Sequence, residues 1–116
     1  MGQLSTKSYH FVRNVMEQHD WQISIISKIE LLGFRFEHAQ HKRFAEELLI
    51  NCRFIPLTEA VAEKAILLRQ SYKLKTPDAG IAATSMLYHY TLVSRNDKDF
   101  LQIENMPYYN PIDEVV

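Results

Sequence analysis

Four acidic residues of this 116-residue chain stand where an α/β protein could use them: Glu30, Asp78, Asp97 and Asp99. Glu30 follows the apolar run Ile23–Ile26, Asp78 opens a helical stretch, and Asp97 and Asp99 follow Leu92–Ser94. In open α/β sheets, ligands bind just outside the carboxyl ends of the strands. Carboxylates gathered there would repel one another unless a cation neutralised them, and a hard divalent ion with oxygen ligands is the usual solution. Each acid also has a plain structural role. Asp78 complements a helix dipole in the first turn, worth about 0.3–1 kcal/mol. Glu30 reads as a surface helical acid, and Asn96-Asp97-Lys98-Asp99 has the composition of a turn. Their common placement, rather than any one residue, points to chemistry.

Other constellations are poorer. His38 and His41 could share a helix face, but a zinc site needs further ligands and Cys52 is the only thiol. These histidines are expected in solvent. Cys52 has no local support as a nucleophile and reads as a small buried side chain. Three scattered glycines match no phosphate-binding loop.

The acids must be positioned by the elements around them. Thr6 to His19 reads as a helix with Tyr9, Val12 and Met16 on one face. Trp21 to Ile25 alternates as a strand, with Ile26 extending it. A helix is expected from about Ser27 as cap, weakened at Gly33 and resuming through Phe44, Leu48 and Leu49. Arg53–Leu57 reads as a short strand, with Pro56 suggesting an edge. Thr58 caps the next helix, Glu59 sits in its first turn, and Val61, Ala65, Leu68 and Tyr72 form its buried stripe. Thr76 as cap and Pro77 at the first helical position start a helix to about His89. Its Ala79, Gly80, Ala82 and Ala83 permit close approach to a sheet. Thr91–Ser94 is a third strand, Arg95–Lys98 a turn, and Pro107–Asn110 a last short strand. Strands separated by helices imply βαβ units, a mainly parallel sheet and a three-layer α/β/α fold.

Three segments, in this order, resemble the signatures of VapC-like PIN domains. Ile25-Ile26-Ser27-Lys28-Ile29-Glu30-Leu31-Leu32-Gly33 is similar to the family's strand-to-helix motif. Leu74-Lys75-Thr76-Pro77-Asp78-Ala79-Gly80-Ile81-Ala82-Ala83-Thr84 resembles its central signature. Thr91-Leu92-Val93-Ser94-Arg95-Asn96-Asp97-Lys98-Asp99-Phe100, followed by Asn110-Pro111, looks like its last-strand motif. The resemblance implies a metal-dependent nuclease of type II toxin–antitoxin kind that cuts RNA and is held inactive by a cognate antitoxin. It places Glu30, Asp78 and Asp99 as ligands of Mg²⁺ or Mn²⁺ and Asn96 at a position often held by Asp or Asn. Asp97 is the weaker choice there. Ser94 and Thr76 are implied as supporting groups behind the ligands. Lys73, Lys75 and Arg95 are candidate contacts to RNA.

One departure accompanies the match. The family opens with a strand ending in a metal-binding Asp, whereas this chain begins Met1-Gly2-Gln3-Leu4-Ser5 and enters its first helix directly. The expectation is therefore a single PIN-like domain over residues 1–116, N-terminally truncated relative to the family, and a homodimer or strand-completing oligomer. Direct pairing of the remaining strands, a segment donated by a second chain, or a protein that starts upstream of Met1 would each fill the gap. The alternative expectation is a catalytically impaired PIN-fold remnant that binds an antitoxin or dimerises as a regulator. A third is a small α/β binding domain whose likeness to the family is superficial.

Composition sets the bounds. An apolar share of 47% and a charged share of 23% are those of an ordinary globular domain. A net charge of -1 gives no general attraction to nucleic acid, so any such contact needs a local patch. The stretch with Lys64, Arg69, Lys73 and Lys75 is the candidate, and a solvated helix face is its plainer reading. One cysteine excludes an intramolecular disulfide, and no segment has signal-peptide or membrane-spanning character. The expected location is the cytoplasm.

Overall fold

A computed structural model describes residues 22–50, 52–94 and 96–110. The expected helix Thr6–His19, together with Trp21 and Arg95, lies outside them. The element order is β1 (Gln22–Ser24), α1 (Ile25–Leu32), α2 (Ala39–Leu49), β2 (Arg53–Ile55), α3 (Glu59–Ser71), α4 (Thr76–Leu87), β3 (Leu92–Val93), α5 (Asp97–Phe100) and β4 (Tyr108–Tyr109). The chain divides after Ile55 into two compact units, each built on a two-stranded parallel ladder. The class is thus α/β, helix-rich, with parallel strands.

In the first unit, β1 pairs with β2 in the register Gln22↔Arg53, Ile23↔Phe54, Ser24↔Ile55. The strand expected to reach Ile26 stops at Ser24, and Ile25 and Ile26 open α1 instead. The cap is Ser24, not Ser27. The Ser24 Oγ accepts the Ser27 N–H at 3.0 Å, which satisfies one of the donors that a helix start leaves without a backbone partner. The helix expected to weaken at Gly33 and then resume is two helices, α1 ending at Leu32 with Gly33 as its cap and α2 beginning at Ala39. Gly33 donates its N–H to Ile29 O at 2.8 Å, and a Cβ at Gly33 would stand only 2.6 Å from that oxygen. Glycine therefore closes the helix where a larger residue would force it open. Pro56 ends β2 two residues before the expected Leu57.

The second unit holds a contiguous hydrophobic core: Val61, Leu68, Leu74, Ala79, Ala82, Ala83, Leu92, Phe100, Ile103 and Met106, with Ala65 and Tyr72 packed against it. The stripe expected on α3 is therefore the stripe that is buried. Its cap is Thr58, whose Oγ1 accepts the Val61 N–H at 3.2 Å, and Glu59 stands in the first turn. The fully buried alanines of α4 let α3 and α4 come together closely, so the small-residue face expected to approach a sheet packs against a helix.

The start of α4 differs from expectation by one residue. Lys75 O accepts the Ala79 N–H at 2.9 Å, so Lys75 is the cap and Thr76 is the first helical residue. Pro77 still lies in the first turn, where its missing N–H costs nothing. The helix ends at Leu87, two residues early, because His89 takes a left-handed φ of 58°. Tyr90 N–H then bonds to Ser85 O and His89 N–H to Met86 O, the double closure of a Schellman motif. β3 pairs with β4 in the register Leu92↔Tyr108, Val93↔Tyr109. Thr91, Ser94, Pro107 and Asn110 flank these strands rather than extend them. In place of a simple turn over Arg95–Lys98, Asp97 to Phe100 forms one turn of helix.

Candidate functional site

The acids that the sequence singles out are held in different ways. Glu30 is solvent-exposed on α1 in the first unit. Asp78 is half-buried in the first turn of α4 in the second unit, between exposed Pro77 and fully buried Ala79. Asp99 is half-buried on α5, beside Phe100, which is 3% exposed and locked in the core.

Around α5 the side chains form a local network. Asn96 Nδ2 donates to Asp99 Oδ2 at 2.8 Å, so the amide nitrogen faces the carboxylate and the amide oxygen remains as the donor atom that a cation could use. Ser94 Oγ accepts the Asn96 N–H at 3.0 Å and so fixes the backbone at Asn96. Tyr108 Oη donates to Asp97 Oδ1 at 2.7 Å and also lies 2.9 Å from Ser94 O. Asn110 Nδ2 donates to the same Asp97 oxygen at 3.0 Å. Tyr108 did not stand out in the sequence and Asn110 did so only as part of the last motif, because their partner Asp97 lies 11 and 13 residues away. Thr76, the other supporting candidate, is exposed in the first turn of α4.

Asp78, Asp99, Asn96 and Glu30 all offer hard oxygen donors. This chemistry suits Mg²⁺ or Mn²⁺, which take one or two carboxylates and keep several waters. Among the described residues, no three His, Cys, Asp or Glu side chains gather as a ready-made ligand cage.

The basic candidates divide. Lys73 and Lys75 are exposed in the segment that leads into Asp78. Arg69 Nε donates to Leu74 O at 3.1 Å and closes the end of α3, so its guanidinium serves structure first. The remaining constellations stay structural. His38 and His41 meet edge to face at 5.3 Å; His38 is exposed as expected, but His41 is half-buried. Half-buried Cys52 donates its thiol to Leu48 O at 3.1 Å, and burial raises its pKa, which disfavours a thiolate nucleophile. An open hollow of about 520 Å³ in the first unit is lined by Lys28, Leu32, Arg43, Glu46 and Phe54 among others, and Glu30 does not line it. Among the described residues, no helix is long and apolar enough to cross a membrane.

A family model for the PIN domain matches residues 5–105. No curated protein matches the chain. Among solved structures, a toxin–antitoxin complex from Klebsiella pneumoniae contains a chain 30% identical to this one, with a TM-score of 0.71, covering 88% of this chain and 84% of that one. VapBC2 from Rickettsia felis, bound to a DNA fragment from its promoter, is 21% identical with a TM-score of 0.69 over 88% of this chain and 83% of that one. FitAcB from Neisseria gonorrhoeae is 20% identical, also with a TM-score of 0.69, over 97% and 89% of the two chains.

Proposed function

This chain belongs to the PIN domain family, and from that premise we propose that it is a metal-dependent endoribonuclease of toxin–antitoxin type. It would act in the cytoplasm as one PIN-like domain, hydrolyse RNA phosphodiester bonds and be restrained by a cognate antitoxin, as a homodimer. The observation that carries this reading is the likeness, in sequence as well as fold, to a chain of a toxin–antitoxin complex. The arrangement around α5 supports it from within the molecule.

In this reading Asp78 and Asp99 hold the metal, with Asn96 beside Asp99, and Glu30 is a ligand by its place in the family's strand-to-helix motif. Bound Mg²⁺ or Mn²⁺ supplies a Lewis acid that activates water and offsets charge on the phosphate. The chain's own groups prepare that chemistry. The Asn96 amide fixes one oxygen of Asp99, leaving the other as the ligand atom. The first turn of α4 presents Asp78 from a rigid helix whose following residues are buried in the core. Ser94 holds the backbone of Asn96, and Thr76, in the same first turn of α4 as Asp78, is the other supporting group. Exposed Lys73 and Lys75, with Arg95 by sequence position, attract the RNA backbone.

The test is a calorimetric Mn²⁺ titration of the chain and of Asp78→Ala, paired with cleavage of single-stranded RNA with and without chelator. Saturable heat and chelator-sensitive cleavage are expected from the parent chain, with both lost in the variant. Identical heats from the two proteins would sink the metal-site reading. They would leave the second reading, an impaired PIN fold that serves as an antitoxin-binding or dimerising regulator.

A further inference from the structure

Resting on that metal-site reading, we propose that Asp97 is a positioning residue: it clamps the start of α5 to β4 and so sets where Asp99 and Asn96 present their oxygens. Two carboxylates stand two residues apart on α5, and the structure gives them separate partners. Asp97 Oδ1 accepts from Tyr108 Oη at 2.7 Å and Asn110 Nδ2 at 3.0 Å. Asp99 Oδ2 accepts from Asn96 Nδ2 at 2.8 Å. Residues i and i+2 of a helix are about 200° apart around its axis and share no face. While Asp97 turns toward β4, Asp99 therefore points elsewhere.

The clamp is needed because α5 is too short to hold itself. It has four residues, and a single helical turn gains too few backbone bonds to offset the ordering of its backbone. Phe100 anchors its far end in the core. At its near end, the Tyr108 hydroxyl has one proton and two acceptors within reach, Ser94 O and Asp97 Oδ1. It thus bridges the residues on either side of Asn96. Asn110 adds a second donor to the same carboxylate oxygen. β4 is in turn fixed to β3 by Leu92 N–H to Pro107 O at 2.8 Å and Ser94 N–H to Tyr109 O at 3.1 Å. Asn96 and Asp99 are consequently tied to the ladder through Asp97.

The experiment uses the full chain and four variants: Asp97→Ala, Asp97→Asn, Tyr108→Phe and Asp99→Ala. Two readouts are taken, Mn²⁺ affinity by calorimetry and hydrogen exchange of the Phe100 and Leu101 amides, which bond to Asn96 O and Asp97 O. Tyr108→Phe keeps the ring beside Phe100, so loss of the hydroxyl is tested without emptying the core. Asp97→Ala and Tyr108→Phe should each weaken Mn²⁺ binding about tenfold with unchanged stoichiometry, the lower end of what ligand-supporting groups contribute. Both should speed exchange at the two amides. Asp97→Asn keeps an oxygen acceptor and should stay near the parent in both readouts, while Asp99→Ala should abolish binding. The proposal is overturned if Tyr108→Phe matches the parent in both readouts. It is equally overturned if Asp97→Asn loses Mn²⁺ as completely as Asp99→Ala, since Asp97 would then be a ligand. If the parent chain itself binds no Mn²⁺, the metal reading fails instead. Exchange alone then decides the clamp, faster exchange upholding it and parent-like exchange refuting it.

Discussion

Each unit sets an acidic residue on the helix that follows its leading strand, but the two helices are supported very differently. In the first unit, Glu30 rides on α1, which buries none of its residues, and neighbouring Ile29 is 66% exposed. In the second, Asp99 rides on a single turn that drives Phe100 into a contiguous core and is tied sideways to β4. Length is evidently not what secures a side chain, since the eight-residue helix is the loosely anchored one. Packing and cross-links are what hold a functional group within the tolerance that chemistry demands.

The contrast can be broken most directly at its strongest point. Phe100→Ala should destabilise the protein by about 3–5 kcal/mol, as truncating a buried aromatic does. Ile29→Ser should stay within about 0.5 kcal/mol, as exposed substitutions do. Urea midpoints measure both, and equal losses would erase the distinction between the units. A smaller effect sharpens it. Ser24→Ala and Thr58→Ala each remove a side-chain cap worth about 1 kcal/mol. The Thr58 loss should appear in the global midpoint, because α3 belongs to the main core. The Ser24 loss should appear chiefly as faster local exchange at Ser27. The smallest change runs the other way. His89→Gly should raise the melting temperature by a degree or a few, corresponding to about 0.5–1 kcal/mol, because glycine adopts the left-handed C′ conformation without the cost a histidine incurs.

Local signals were legible in the sequence. Thr58 as cap, Glu59 in the first turn and the stripe Val61–Leu68 on α3 all appear as expected, since a cap and a helical period are short-range properties. Boundaries moved where two short-range signals competed. Ser24 and Ser27 could each cap α1, and the backbone bond from Ala79 to Lys75 moved the start of α4 one residue earlier, from Pro77 to Thr76. For the candidate site the sequence offered a list of acids with Asn96 among them, and Ser94 and Thr76 as supporting groups. What could not be read was the different partnering of Asp97 and Asp99. That depends on Tyr108 and Asn110, which reach Asp97 only after β4 has paired with β3.

The two ladders also differ in how much chain they must close. Gln22 and Arg53 are separated by about twice as much sequence as Leu92 and Tyr108. A doubling of loop length adds about 0.6 kcal/mol of closure entropy. On that term the β3–β4 ladder is the cheaper of the two to close from an unfolded chain. The pairing that brings Tyr108 and Asn110 to Asp97 would then be among the earlier events of folding, with the turn carrying Asp99 taking shape as the ladder forms.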